Sequence, residues 1–329
     1  MMNVFLYYTT GCVKSNGFPG LQKTIVCGIV IGGDAFMRNK FRGTISLLLA
    51  TVIWGSAFIA QSVGMDYIGP FTFQAVRCGL AVAFLMPLIF LFDKDKKNYW
   101  HNWKDAKLWK TGIVCGIALY IAAGLQQVGI IYSTAAKAGF ITAMYIVIVP
   151  ILGLLFRKKP PVTAWISVAI AVAGLYLLSC TGVNGINIGD VCLIICAIAF
   201  AVQITLVDRL AAQLDGLRLN CIQSLVCAVL SAITMLMTES VSLDNILSCW
   251  LPLCYAGILS MGVAYSLQII GQRHVDPTPA SLIMSLESVF AALFGWLLLH
   301  EVLNTSELLG CLLVFVAVIL SQIPVKTKN

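Results

Sequence analysis

The amino-acid sequence predicts an all-α integral membrane protein with ten transmembrane helices, arranged as two inverted five-helix repeats. Of the 329 residues, 60% are hydrophobic and only 11% are charged, whereas a soluble domain is usually about half apolar and about a quarter charged. The apolar residues form runs long enough to cross a bilayer, and basic residues fill alternate loops between them. A soluble globule needs a polar surface that this chain cannot supply, so the composition excludes the soluble class.

Each predicted span holds about 20 mostly apolar residues, because a helix rising 1.5 Å per residue must cross about 30 Å of hydrocarbon. In chain order the spans cover residues 43–64, 70–92, 109–132, 134–156, 162–180, 190–210, 217–237, 250–271, 278–299 and 305–323. Proline marks the ends of several runs, as at Pro70 and Pro160. The loops are short apart from residues 93–108, so a separate soluble domain has no room.

The loop charges predict the orientation of the chain. Lys and Arg occur in the loops at residues 38–42, 94–110, 157–159, 209–218, 273 and 326–328. The loops on the other side, around Asp66 and at residues 181–189, 239–244 and 300–304, contain neither. By the positive-inside rule, both termini are cytoplasmic in a multi-pass protein of the plasma membrane. The net charge of +7 therefore reflects orientation, and no nucleic-acid partner is expected.

Residues 1–36 do not fit this pattern, because their apolar run from Ile25 to Gly32 is too short to span. Met37 is followed by Arg38, Asn39 and Lys40, which is typical of a cytoplasmic start. We therefore predict that residues 1–36 are a non-native or disordered extension. The first repeat then covers residues 37–180 with spans 1–5, and the second covers residues 181–329 with spans 6–10 and a short C-terminal tail.

Weak internal similarity supports the repeat. The matching pairs are Gly43 with Gly189, Leu47 with Leu193 and Trp54 with Phe200 at a spacing of 146, and Leu125 with Leu267, Gln126 with Gln268 and Gly129 with Gly271 at a spacing of 142. Because five is odd, the second copy enters the membrane from the opposite side. Such inverted repeats are common in secondary transporters, where two similar bundles enclose a midplane cavity and rock against each other. A duplicated scaffold without transport is the alternative.

Three charged residues stand out at depth within predicted spans, where each costs several kcal/mol unless it faces water or a partner. Glu287 is interpreted either as a proton carrier and substrate partner, or as an ion-pair partner of Arg77 or Lys137 that ties the repeats together. The planar guanidinium of Arg77 suits a carboxylate or a phosphate, or holds the fold. Lys137 is expected to extend its ammonium group toward the membrane surface.

Uncharged polar and aromatic residues complete the candidate site. The predicted substrate-binding residues are Trp54, Arg77, Gln126, Tyr145, Gln203, Gln268 and Glu287, and Glu287 is also the predicted proton-coupling residue. For any single uncharged residue of this set, plain helix packing is the competing interpretation.

Motifs of soluble and membrane enzymes are absent from the sequence. It contains no HExxH, GxSxG or Walker A motif and no paired acidic motifs for Mg²⁺. The cysteines form no CxxC pair, and the histidines are far apart, so neither a metal site nor a cofactor is expected. We therefore predict that the protein is not an enzyme and does not pump with ATP by itself.

The same residues resemble the EamA group of ten-helix carriers in the drug/metabolite transporter superfamily. The resemblance covers about residues 38–323 and rests on Trp54–Gly55, residues 136–142, Tyr145, Pro150, residues 267–273, 277–280, 285–287 and 294–296, Glu301 and Gly310. Two departures are Ser288, where many members have proline, and His300 before Glu301, where many have glycine. The resemblance implies a cavity lined by spans 1–4 and 6–9, peripheral spans 5 and 10, and movement of amino acids, related metabolites or drugs.

The sequence thus predicts a secondary transporter of a small amino-acid-like or drug-like metabolite that exports by alternating access, with proton coupling through Glu287. Its partners are a small-molecule substrate and the lipid bilayer, and a homodimer is left open. The alternatives are a membrane-embedded enzyme or flippase acting on a lipid-linked substrate, or a membrane sensor that does not transport.

Overall fold

The computed structural model describes residues 19–93, 96, 99–133, 135–155, 160–179, 187–299 and 304–323, with the backbone alone for residues 19–37, 135–136, 178–179 and 299. Within these ranges the chain is helical and contains no strand. The all-α fold that the composition predicts is therefore confirmed.

Ten helical spans follow one another along the chain. In the first half they are α1 (Pro19–Gly64), α2 (Pro70–Phe92), α3 (Ala106–Ile131), α4 (Ala135–Ala143 and Tyr145–Leu155) and α5 (Val162–Ser179). In the second half they are α6 (Ile188–Leu210), α7 (Gly216–Thr238), α8 (Trp250–Cys254, Tyr255–Ala264 and Tyr265–Gln272), α9 (Pro277–Met284 and Leu286–Leu299) and α10 (Thr305–Gln322). Short helices at Tyr99–Asn102 and Leu243–Ser248 lie between spans.

The bounds of the spans agree with the predicted ones within a few residues. In the described chain, nine spans are long and apolar enough to cross a membrane, and the apolar part of α5, Val162–Leu177, is shorter. The spanning part of α1 is Arg38–Gly64. Residues 1–18 of the predicted N-terminal extension lie outside the described residues, so the proposal about residues 1–36 stays a prediction.

Local sequence signals begin and end these helices. Pro70 occupies the first turn of α2, where its missing N–H costs nothing. Asn187 and Asp190 form a reciprocal capping box at the start of α6, and Asn304 and Glu307 form another at the start of α10. Asp215 caps α7 by accepting from backbone N–H groups. The caps explain why the predicted boundaries were nearly correct.

Both repeats pack their helices through equivalent glycines. A Cβ atom on Gly43 in α1 would lie 2.9 Å from the carbonyl oxygen of Gly271 in α8. A Cβ atom on Gly189 in α6 would lie 3.0 Å from the carbonyl oxygen of Gly129 in α3. Small residues let two backbones approach closely in a membrane. The first span of each repeat thus crosses the third span of the other repeat, as the inverted duplication requires.

Spans α4 and α9 are both interrupted near their middle, which the sequence did not predict. The first is interrupted at Met144 and the second at Ser285. At each interruption a backbone N–H donates to the carbonyl oxygen three residues earlier instead of four. Val147 N donates to the Met144 oxygen at 3.0 Å, and Ser288 N donates to the Ser285 oxygen at 3.2 Å. The break places Glu287 in the first turn of the second segment of α9.

Span α8 contains a π-helical stretch, Tyr255–Ala264, on the side of the molecule where the repeats meet. Wider helical turns redirect side chains and are frequent at functional sites. Asn220 of α7 stabilises this stretch by donating from Nδ2 to the carbonyl oxygens of Met261 and Gly262, both at 2.9 Å.

Candidate functional site

A cavity lies between the two repeats and receives side chains from α1, α2, α3, α4, α6, α8 and α9. The space between the lining side chains measures about 500 Å³, but the centre of a water molecule fits in only about 30 Å³ of it. That is room for a few water molecules. In this conformation the cavity is therefore a narrow, largely filled space.

Spans α5 and α10 contribute nothing to the described lining of this cavity and pack against each other instead. A Cβ atom on Gly174 of α5 would lie 2.8 Å from the carbonyl oxygen of Gly310 in α10. Span α7 is likewise absent from the described lining, although the family resemblance implied that it would contribute.

Most of the predicted site residues meet at the cavity. Its lining includes Trp54, Arg77, Gln126, Tyr145, Gln268 and Glu287. Gln203 lies behind this lining, where its Oε1 accepts a hydrogen bond from Gln268 Nε2 at 3.1 Å. The structure therefore brings the seven predicted residues into one region, with Gln203 as a support for Gln268.

Arg77 projects from α2, two turns from Pro70, and is only 2% exposed. Its Nε donates to Gln74 Oε1 at 2.8 Å and its Nη1 donates to Gln61 Oε1 at 2.7 Å, while Nη2 also donates to Gln74. The guanidinium carbon lies 5.5 Å from the centre of the Phe73 ring. These partners are neutral, so they orient the guanidinium without cancelling its positive charge.

Glu287 reaches the same cavity from α9 and is 6% exposed. Its Oε1 accepts a hydrogen bond from Tyr145 Oη at 3.1 Å. Tyr145 and Glu287 stand 142 residues apart, which is the spacing of the repeat. The two repeats therefore meet through equivalent positions, with a phenol on one side and a carboxyl group on the other.

The ion pair expected between Glu287 and Arg77 or Lys137 is not formed. Among the described residues, the ion pairs within 4.0 Å join Lys137 to Asp190, and Arg218 to Asp93 and Asp215. Burial of Glu287 is instead accompanied by the bond from Tyr145. A neutral donor leaves the carboxyl group able to exist in either protonation state.

Lys137 forms an ion pair that the sequence analysis did not predict. Its Nζ lies 2.7 Å from Asp190 Oδ2, and this bond joins α4 of the first repeat to α6 of the second. An acid within hydrogen-bond distance gives the ammonium group a direct charged partner. The sequence signal was present, because Lys137 and Asp190 both begin spans on the same side of the membrane.

Several lining residues were missed by the sequence analysis. In α1, Phe58 and Gln61 follow Trp54 by four and seven residues, and in α8, Met261 precedes Tyr265 by four. Side chains at these spacings share one face of a helix, so the pattern around Trp54 and Gln268 would have found them. The rings of Trp54 and Tyr265 pack edge to face with centroids 5.0 Å apart.

Two polar atoms of the cavity wall have no hydrogen-bond partner in the part of the chain that the structure describes. They are Trp54 Nε1, a donor, and Gln268 Oε1, an acceptor. A buried polar group left without a partner costs about 1–3 kcal/mol. Both atoms are therefore available to a polar ligand. No group of three or more metal-ligating side chains occurs among the described residues.

Comparison with known proteins identifies the family. The EamA-like transporter family matches this chain twice, over residues 41–180 and 187–322. The chain belongs to the EamA-like transporter family. This EamA-like transporter is thus a multi-pass membrane protein built from two copies of the family's repeat unit.

The relatives of this EamA-like transporter are also named as transporters. An uncharacterized transporter of Archaeoglobus fulgidus is 32% identical over 299 residues, covering 89% of this chain and 90% of the relative. The uncharacterized inner membrane transporter YedA of Escherichia coli (strain K12) is 25% identical over 281 residues, covering 84% and 89%. A crystal structure of a protein 16% identical to this chain matches its fold with a TM-score of 0.70, covering 85% of this chain and 96% of that one.

Proposed function

We propose that this transporter exports a small zwitterionic metabolite, of the size and polarity of an amino acid, by alternating access. The observation that carries the proposal is the meeting of two buried charged residues in one cavity. Arg77 lines it from the first repeat and Glu287 lines it from the second. Intramembrane ionisable residues that face a cavity are typical of substrate and ion pathways.

The chemistry of the wall suits a molecule with both an acidic and a basic group. A guanidinium binds a carboxylate through two parallel hydrogen bonds, and Trp54 Nε1 adds a further donor. On the other side, Glu287 and Gln268 Oε1 can accept hydrogen bonds from an ammonium group. The rings of Trp54 and Tyr265 offer an apolar surface to the rest of the substrate.

The small free volume of the cavity supports alternating access. Little of the cavity admits even the centre of a water molecule in this conformation, so we expect the lining helices to separate when an amino-acid-sized solute binds. The two repeats are related by inverted topology, and carriers of this kind open by rocking one bundle against the other.

Proton coupling is assigned to Glu287. Its carboxyl group lines the cavity together with Tyr145, Tyr265 and Arg77, and protonation would remove the charge that holds an ammonium group. In this scheme the basic face is cytoplasmic in the plasma membrane, as the positive-inside rule predicts. Protons then enter as the metabolite leaves.

The test is transport in proteoliposomes with an imposed pH gradient and a mixture of the twenty protein L-amino acids as the probe. Proton movement is followed with a pH-sensitive dye trapped inside the vesicles. We expect amino-acid-dependent proton flux in the wild type and a fall of more than about tenfold in Glu287→Gln, which corresponds to about 1.4 kcal/mol. Asp276→Asn is the matched control, because Asp276 is an exposed carboxyl group outside the cavity.

Two outcomes would contradict the proposal. Normal flux in Glu287→Gln would remove this residue from proton coupling. A monocarboxylate or a primary amine that moves as well as the amino acids would show that the wall does not require both charges.

A further inference from the structure

Helices α2 and α7 run antiparallel and contact each other along their whole length. At one face of the membrane, Thr72 near the start of α2 bonds to Glu239 at the end of α7. In the middle, Cys78 Sγ lies 3.5 Å from Cys227 Sγ. At the basic face, Asp93 at the end of α2 pairs with Arg218 near the start of α7. A contact that involves a charged side chain therefore joins α2 of the first repeat to α7 of the second at each end of the pair.

The bond remote from the basic face is built around the carboxylate of Glu239. Its Oε1 accepts from Phe71 N at 2.8 Å, and its Oε2 accepts from Thr72 N at 2.8 Å and from Thr72 Oγ1 at 2.6 Å. These N–H groups belong to the first turn of α2, where an anion is favoured. A Cβ atom on Gly69 would lie 2.4 Å from the carboxyl carbon of Glu239, so the glycine makes room for it.

The bond at the basic face is built around Arg218. One of its terminal nitrogens, Nη2, donates to Asp93 Oδ2, and Nη1 donates to Asp215 Oδ2 at 2.7 Å. The guanidinium carbon also lies 5.6 Å from the ring centres of both Tyr99 and Trp103. The side chains of Arg218 and Asp93 are only 5% and 6% exposed, so water and salt screen their attraction little.

The two bonds are copies of each other by the inverted repeat. Thr72 and Arg218 are 146 residues apart, as are Asp93 and Glu239, which is the spacing that relates Gly43 to Gly189. Asp93 and Glu239 each end their helix, and Thr72 and Arg218 are each the third residue of theirs. The duplication has thus placed one contact made by a carboxylate at each face of the membrane.

We infer that these contacts are the two latches of the transport cycle, and this rests on the proposed alternating access. The contact between them is made by neutral groups, the Cys78–Cys227 thiols and Gln74, whose Nε2 donates to Cys227 Sγ at 3.0 Å. Helices that rock about this middle contact open one face by breaking one latch while the other stays closed. The Glu239 latch holds the face remote from the basic loops, and the Asp93 latch holds the basic face.

Hydrogen–deuterium exchange of the full chain in lipid nanodiscs tests this inference. We expect Glu239→Gln to speed exchange about tenfold in residues 64–76 and 236–249, which corresponds to about 1.4 kcal/mol. Exchange at the basic face, in residues 88–93 and 210–222, should slow at the same time. Asp93→Asn should produce the reverse pattern. Both latches are closed in this structure, so the cycle has one closed and two open states, and population drawn into one open state leaves the other.

Three further variants distinguish a latch from a local structural bond. Gly69→Ala keeps the carboxyl group but forces it away from α2, so it should reproduce the Glu239→Gln pattern. Arg218→Lys keeps the charge but cannot bind Asp93 and Asp215 through one planar fork, so it should resemble Asp93→Asn. Asp276→Asn is the control, because that exposed carboxyl group lies outside the α2–α7 pair and makes no side-chain cap of α9, and only residues near 274–280 should respond.

Faster exchange confined to the neighbourhood of each substitution, with the opposite face unchanged, would overturn the latch inference. That outcome is separable from the proposed function. If proton flux depends on Glu287 but hydrogen exchange is not reciprocal between the two faces, the proposed transport stands and the latch inference fails. If exchange is reciprocal but Glu287→Gln transports normally, the latch inference stands and proton coupling through Glu287 fails.

Discussion

Tyr145 in the first repeat and Glu287 in the second occupy equivalent positions, yet they differ in chemistry. Each follows the break in its helix, each lines the cavity, and the two side chains meet in a hydrogen bond of 3.1 Å. By contrast, the equivalent glycines that bring the helices together are the same residue in both repeats. Packing positions are thus conserved between the halves, whereas positions that face the cavity have diverged.

The difference teaches where symmetry is needed and where it is not. Two bundles of the same shape must enclose the cavity, so the close contacts recur at Gly129 and Gly271. The proposed substrate has an acidic and a basic end and is not symmetric, so a site that fits it is not symmetric either. Accordingly Arg77 of the first repeat has its equivalent in Gln223 of the second, which does not belong to the described cavity lining.

The largest effect is expected from replacing Arg77, whose equivalent in the second repeat is Gln223. Arg77→Gln removes the cation that faces the cavity, and a hydrogen bond to a charged group contributes about 1.5–3 kcal/mol. The amino-acid concentration that half-saturates flux should therefore rise by about tenfold to a hundredfold. Proton flux in the proteoliposome assay, measured over a range of amino-acid concentrations, checks this.

Gln223→Leu is the matched change in the second repeat, and it should alter half-saturation by less than about threefold, because Gln223 does not belong to the described cavity lining. Equal losses in both variants would mean that the two repeats contribute alike to the site. A melting curve for each variant separates lost binding from lost folding.

An effect on stability is expected where the repeats are alike. In Gly129→Ala the added Cβ would lie 2.5 Å from Leu193 Cγ, and in Gly271→Ala it would lie 2.7 Å from Leu47 Cγ. Forcing a methyl group into a packed contact costs about 1–3 kcal/mol. Both variants should lower the thermal midpoint of the purified protein by similar amounts.

Gly79→Ala serves as the control, because a Cβ atom there meets no described atom within 4 Å. A marked drop for one crossing and none for the other would show that the two helix crossings are not mechanically equivalent.

The smallest effect is expected at Ser288, whose equivalent in the first repeat is the buried Ile146. Ser288 Oγ donates to the carbonyl oxygen of Gly139 in α4 at 3.0 Å, and such a bond contributes about 1 kcal/mol. Ser288→Ala should therefore lower the free energy of unfolding by about that amount, as measured by denaturation in mild detergent.

Ser285→Ala is a suitable comparison, because Ser285 Oγ donates only to Leu282 of its own helix. If both serine variants were equally stable, the bond between α4 and α9 would contribute nothing.

Much of the site could be inferred from the residues because charges are costly in a membrane. Arg77 and Glu287 stood out for that reason, and both line the cavity. Gln61 and Tyr265 did not stand out, since a Gln or Tyr in a span packs against neighbouring helices as readily as it lines a cavity. Only their positions, on the same helix faces as Trp54 and Gln268, identify them as lining residues.

The pairing of charges was harder to infer than their presence. Lys137 has Asp190 as its partner and Glu287 has Tyr145, because helix packing decides which side chains come within hydrogen-bond distance. The breaks at Met144 and Ser285 were also hidden, since no proline or glycine stands at either position.

The sequence by itself determined the class, the ten spans and their division into two five-span repeats, because hydrocarbon thickness and the cost of exposing apolar surface act on each segment separately. The tertiary structure alone decided that Tyr145 meets Glu287, that the cavity is nearly filled, and that acids close both ends of the α2–α7 pair. Those features depend on distances between residues far apart in the chain, and no local pattern of apolar and polar residues encodes such distances.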